Sequence, residues 1–275
     1  MLAALLFSSA VAITIDDVPG TAFPPRERCN AAAVRAWNAK LIAGLQKHRA
    51  PAIGFVNSAK CVSSALDLWL RAGEQLGNHT AHHVDLNSLT PSEFERDVIA
   101  GEGPLPERRW FRYPMLHTGA TREVRDEVHA WLAKRGYRSA VVTLDSNEFL
   151  FNDPYAAALG KGDTAHAKRI ADAYVRFIES IVVFYEKRTR EVIGRDIPQI
   201  LLVHDSALLA DHIDDVLTML ERRGYRFVTI DEAMRDPAYA LPDGYAGPRG
   251  LSWIHRWGLA KGMPVVLEPD PGIPR

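Results

Sequence analysis

Four short polar clusters, Asp16-Asp17, His79 with His83, Arg112 with Pro114, and His204, each sit at the end of an apolar run of strand length. Strands are expected at 11–15, 51–56, 73–77, 110–113, 139–144, 199–203 and 226–230, where apolar and β-branched residues alternate or cluster. Between them lie segments with apolar residues at helical spacing: 31–47 opened by Asn30, 64–72, 92–100 behind a Thr90-x-x-Glu93 capping box, 122–135, 164–192 and 211–223. Strands alternating with helices predict right-handed βαβ units and a parallel sheet. About seven strands exceed a small open sheet, so the expected fold is α/β, a distorted (β/α)7-type barrel with an irregular C-terminal tail. Side chains at the C-terminal ends of such strands converge on one mouth, so the scattered clusters are expected to form one site.

The chain has 275 residues, 47% of them hydrophobic, enough for one full core. Residues 11–235 read as the barrel. From Asp236 onward Pro, Gly and Tyr crowd the sequence, so 236–275 reads as an appendage in which Trp253, Arg256 and Trp257 fall at helical spacing, packed on the barrel as the simpler reading and stacking on sugar as the alternative. Residues 1–10 carry the apolar and small-residue parts of a secretory signal, without a basic leader; the competing reading is that Ala10 simply opens the first strand. Lys plus Arg number 33 against 34 Asp plus Glu, so no basic field invites nucleic acid or an anionic membrane. No apolar run reaches the ~20 residues of a membrane span. Cys29 and Cys61 each follow an expected strand, which would bring them to one rim, bridged in an oxidising compartment or free otherwise.

Asp16 and Asp17 end a strand just before Pro19-Gly20. Successive strand side chains point opposite ways, so one carboxylate is available to a metal and its neighbour to water; an Asp pair capping a turn is the plainer alternative. His79 and His83 are spaced i, i+4, which places both imidazoles on one face if the segment is helical. His82 between them leaves a mere surface cluster open. Asp17, His79 and His83 together make three protein ligands, the number of a catalytic metal site with an open position, whereas a structural zinc takes four.

Ile13-Thr14-Ile15-Asp16-Asp17, Asn78 to His83, Arg112-Tyr113-Pro114, Asp145 to Phe149, and Leu201-Leu202-Val203-His204, in that order, resemble the five motifs of the polysaccharide deacetylases of the NodB-homology group. The resemblance spans about residues 11–232. It implies that Asp16 is the general base, that Asp17, His79 and His83 hold the metal, and that Arg112 pairs with Asp16 and keeps its pKa low. It further implies that Met115, just past Pro114, presents a backbone N–H to the oxyanion, that Leu202 lines a slot for the acetyl methyl, and that His204 is the general acid. Three departures stand out: Val18 replaces a frequent Gly, Met115 a frequent aromatic residue, and Glu148-Phe149 the usual Asp-Trp of the fourth motif. Glu148 is then expected to orient His204, with Asp145 as the competing residue.

The implied activity is hydrolysis of acetyl groups from N-acetylated sugars, O-acetyl less so, with a divalent metal, zinc or else cobalt. Two alternatives remain: a metal hydrolase of the same fold cutting a non-sugar C–N bond, and a catalytically silent carbohydrate-binding protein. No Gly-x-Ser-x-Gly elbow supports serine-hydrolase chemistry. The expected partner is a carbohydrate, with no nucleic acid and no stable membrane insertion, in the periplasm or secreted. The sequence carries no signal for oligomeric state.

Overall fold

The structure is a computed structural model that describes residues 9–20, 30–58, 65–107 and 109–274. Strands β1 (Ala10–Val18), β2 (Ala52–Val56), β3 (Gln75–Asn78), β4 (Trp110–Phe111), β5 (Arg138–Ser139), β6 (Leu144–Asp145), β7 (Gln199–His204) and β8 (Arg226–Val228) form one sheet in the order β5-β4-β3-β2-β1-β7-β6, and every pairing is parallel. Val11 and Ala12 pair with both β7 and β8, whereas Ile13 to Ile15 pair with both β7 and β2. β8 therefore shares with β2 one edge of β1. Among the described residues no pairing joins β5 to β6, so the sheet curls as a distorted (β/α)7 barrel without a closed ladder.

Helices α1 (Ala31–Lys47), α2 (Leu66–Arg71), α3 (Pro91–Ala100), α4 (Arg122–Lys134), α5 (Phe149–Gly160), α6 (Thr164–Ile193), α7 (Ala207–Arg222), α8 (Ile230–Ala233) and α9 (Trp253–Ala260) surround it. Their starts follow the polar residues that precede each apolar pattern. Asn30 accepts from the Ala33 N–H, and Thr90 with Glu93 forms the expected capping box. The 30-residue α6 stops at Gly194, whose φ of 86° needs no Cβ to be accommodated. Because β1 is covered on both faces, Val11, Ala12 and Ile15 are fully buried, and the core runs from there to Tyr174 and Ile181 of α6 and Leu217 of α7.

Two expectations need correction. The 139–144 run is not one strand: 140–143 is a buried linker between β5 and β6, tied to β7 at Thr143, whose N–H donates to Ile200 O at 3.1 Å and whose hydroxyl accepts from Ile200 N–H at 2.7 Å. The helix α5 was not expected, since it holds Pro154 in its interior and has no side-chain cap. Near the chain end, Ile273 packs against the core. Trp253, Arg256 and Trp257 are buried as α9 docks. Residues 1–8, Cys29 and Cys61, which carry the signal and thiol readings, lie outside the described residues.

Candidate active site

Parallel pairing brings the polar strand ends level. Asp16 pairs with His204, Asn78 with Phe111, and Asp145 with Leu202, so β1, β3, β4, β6 and β7 all end at one mouth. Asp16, Asp17, His79, His83, Asp145 and His204 line a cavity of about 450 Å³ there, joined by Met115, Leu202 and Phe149. Pro114 is buried and opens the 3-10 turn Pro114–Leu116 beneath Met115.

The mouth is built from backbone that L-residues rarely adopt. Among the described residues seven non-glycine residues have positive φ, and six of them, Asp17, Thr80, His83, Met115, Leu116 and Asn147, belong to these loops. At Asp17 (φ 66°) the β1–β2 register shifts between Ile15 and Val18. The alternation expected of a strand is thereby lost: Asp16 Oδ2 lies 3.6 Å and Asp17 Oδ1 3.8 Å from the same His79 Nε2. His79 and His83 do not share a helix face either. Residues 79–83 form a bend with positive φ at Thr80 and His83, and it brings the rings to a 5.0 Å centroid separation.

His83 Nε2 is 3.5 Å from Asp17 Oδ1, and the ligand atoms of Asp17, His79 and His83 all lie within 4.8 Å of one another. His79 Nδ1 donates to the Arg112 carbonyl at 2.8 Å, which leaves the Nε2 lone pair facing the two carboxylates. Burial, then the neighbouring His83, lowers the pKa of His79 to about 3, so the ring is neutral, the form that binds metals. Two neutral imidazoles and one carboxylate converging on one point fit a divalent cation.

Arg112 is completely buried and fully engaged. Its Nε donates to Ala140 O at 2.9 Å, Nη2 to Thr14 Oγ1 at 2.9 Å, and Nη1 lies 3.4 and 3.5 Å from the Asp16 oxygens, with the guanidinium stacked on Phe55. Thr14 in turn donates to Leu201 O at 2.7 Å. Sequence reasoning missed Thr14 as the brace of Arg112, although a hydroxyl within an apolar strand run was the available signal. The expectation that Arg112 holds the Asp16 pKa low needs correction: burial outweighs Arg112, His204 and His83 and raises it.

On the neighbouring strand β7, His204 is held by Glu148, whose Oε1 accepts from the His204 backbone N–H at 2.6 Å and from Nδ1 at 2.9 Å. Burial alone lowers the His204 pKa, but Glu148, followed by Asp17 and Asp16, outweighs it and raises the ring to about 9. The extra methylene of Glu148 thus reaches the imidazole. Asp145 lines the same cavity, pushed up to about 6 by burial and the nearby Glu268. Phe149, 48% exposed, sets its edge against the His204 ring at 5.5 Å. Gly250, from the tail, also lines the cavity, a contribution that no motif signalled.

Residues 8–138 match the family model described as polysaccharide deacetylase. Over that stretch the chain is similar to the polysaccharide deacetylase family. A peptidoglycan-N-acetylglucosamine deacetylase of Bacillus cereus is 22% identical over 229 residues, covering 82% of this chain and 88% of that one. Among solved structures, a polysaccharide deacetylase from Bacillus cereus aligns with a TM-score of 0.56 at 19% identity over 80% of this chain and 91% of the other. A pseudoenzyme of carbohydrate esterase family 4 from Bacillus anthracis aligns with a TM-score of 0.54 at 18% identity, over 83% and 66%. At these identities the structural likeness concerns the fold that polysaccharide deacetylases share, and a pseudoenzyme shares it too. Among the described residues no helix is long and apolar enough to cross a membrane.

Proposed function

We propose that the protein removes the acetyl group from N-acetylated sugars of a glycan, N-acetylglucosamine polymers foremost, using a divalent metal held by Asp17, His79 and His83. The observation that carries this reading is the convergence of that ligand triad with a carboxylate, Asp16, and an imidazole, His204, on one cavity. The donor set favours zinc. A cation bound there supplies a Lewis acid that polarises the acetyl carbonyl and acidifies water.

Each side chain then has a task that follows from its surroundings. Asp16, braced by Arg112, takes the proton from the attacking water. The Met115 N–H faces the oxygen that gains charge, and one such donor is worth ~3 kcal/mol of barrier. His204, held protonated by Glu148, gives a proton to the departing nitrogen, which is a poor leaving group without it. Leu202, buried at the cavity wall, supplies the apolar slot for the methyl group. The B. cereus relative's name favours a cell-wall glycan as substrate, and a periplasmic or secreted location follows from that choice.

Mass spectrometry for loss of acetyl units, with zinc added, across chitooligosaccharides, peptidoglycan fragments and acetylxylan is the test. Deacetylation of the first two supports the reading. Turnover restricted to non-sugar amides overturns the substrate, and inactivity with metal bound places the protein among pseudoenzymes.

A further inference from the structure

The C-terminal tail grips the loop proposed to stabilise the oxyanion. Arg256 of α9 has no exposed surface, and its donors are spent on the stretch after β4: Nη2 donates to Leu116 O at 2.6 Å and Nη1 to Thr118 Oγ1 at 2.8 Å. The same guanidinium pairs with Asp243 at 3.0 Å, donates to Leu251 O at 2.9 Å and lies 4.1 Å from the Trp253 ring. Gly247 N–H donates to Gly119 O at 3.1 Å, and Trp253 N–H to Val142 O, in the linker between β5 and β6, at 2.7 Å. Gly250 approaches closest. A Cβ at that position would stand 2.0 Å from the Met115 carbonyl oxygen and 3.2 Å from Leu116 Cβ.

The loop needs such support, because Met115 and Leu116 both sit at φ 56°, a backbone region that non-glycine residues rarely adopt. Two consecutive residues in that region persist only when their surroundings hold them. On one side the turn bonds to itself, Leu116 N–H to Tyr113 O at 3.1 Å, and His117 bonds Asp85 at 2.8 Å; on the other side the tail seats against the Met115 carbonyl and bonds that of Leu116.

We propose that Gly250 and Arg256 are positioning residues: by holding the carbonyls of Met115 and Leu116 they fix the backbone torsions of Met115, and through them the direction of the Met115 N–H on the preceding peptide, so the tail belongs to the working site although it lies outside the matched family region 8–138. This rests on the deacetylase reading above. Gly250 is the position where a larger residue forces backbone to move, and Arg256 is the position where a planar, multiply bonded cation is required.

The test is steady-state kinetics and metal analysis of Gly250→Ala and Arg256→Lys against wild type, on an N-acetylated chitooligosaccharide. Displacing a donor that is worth 10²–10³ in rate predicts that Gly250→Ala loses about tenfold or more in kcat, with KM and bound zinc within about twofold. Arg256→Lys keeps the charge beside Asp243 but loses the simultaneous reach to Leu116, Thr118 and Leu251, and the same kcat-selective loss is expected. An active wild type whose Gly250→Ala variant keeps kcat overturns the inference alone. A rise in KM without loss of kcat, or a loss that follows the bound metal, also overturns it, since the methyl would then merely crowd the cavity or loosen the fold. An inactive wild type overturns the deacetylase reading and this inference with it.

Discussion

Replacing Glu148 with Gln tests one buried charge at nearly constant volume. Glu148 is fully buried and accepts two hydrogen bonds from His204; Gln keeps an acceptor oxygen but carries no charge. In the wild type the ring sits at about 9, so relative to an ordinary histidine near 6.5 the site favours the imidazolium by about 3 kcal/mol. Without the Glu148 charge, burial dominates, and the pKa is expected at or below ~6.5. At pH 8 the protonated fraction then falls from about nine-tenths to about three in a hundred, roughly thirtyfold less acid available. The alkaline limb of kcat/KM should move from near pH 9 to below about pH 6.5. A cation at the triad lowers His204 in both proteins alike and leaves the difference. Stability gives a second reading that needs no substrate. Since the folded-state pKa is raised, the contribution is fully present below the unfolded value of about 6.5 and is lost as pH rises through about 9. The wild-type urea midpoint should therefore decline across that window, and the variant's should stay level. An alkaline limb unmoved in Glu148→Gln, or moved only in Asp145→Asn, would refute this reasoning and give the supporting role to Asp145.

Three further outcomes are expected. Chelation abolishes turnover and zinc or cobalt restores it, while His79→Ala and His83→Ala each weaken metal binding in titration calorimetry, since each removes one of three ligands; full activity in a verified metal-free sample would sink the triad. Asp16→Asn retains metal but loses about 10²–10⁴ in kcat, whereas Asp17→Asn loses metal first; equal metal content with equal kinetics would erase the division between the neighbours. Arg112→Met leaves Asp16 buried without its cation, which costs about 3–5 kcal/mol in urea denaturation. Because Arg112 pulls the Asp16 pKa down, its loss also moves the acid limb of the rate profile to higher pH, and an unmoved limb would show that Arg112 only packs.

Elements whose own residues carry their start signals were readable from sequence. Helix α1 begins after Asn30 and α3 inside a Thr90–Glu93 box, because those side chains satisfy backbone N–H groups that helix ends leave open. The buried stretches 10–15 of β1 and 200–203 of β7 read as apolar runs, broken only by Thr14, for the reason that both faces are covered. Between β5 and β6 the reading failed because Val141, Val142 and Thr143 have strand propensity but extend no ladder; Thr143 meets β7 only at Ile200, through its N–H and hydroxyl, and the tail bonds Val142 O. Helix α5 hid because it is apolar on nearly every side and carries Pro154.

The site was legible in identity and illegible in aim. Residue types at strand ends specify a ligand set, since carboxylate and imidazole are the groups that chemistry requires. Which way each points depends on φ at Asp17, Thr80, His83, Met115 and Asn147, and none of these is a glycine that would announce the left-handed region. A strand period places Asp16 and Asp17 on opposite faces; the bulge at Asp17 turns both toward His79. Such backbone is held by bonds from distant parts of the chain. Asn78 Oδ1 accepts from Thr80 N–H at 2.8 Å while its amide donates to Tyr137 Oη, and Arg256, about 140 residues from the loop it serves, caps Leu116 O. Strain at the mouth thus depends on contacts that only the folded chain assembles, and the motifs cannot encode it alone. Changes far from the motifs, at Gly250 or Arg256, are therefore expected to reach the chemistry through the same few peptides that the motif residues occupy.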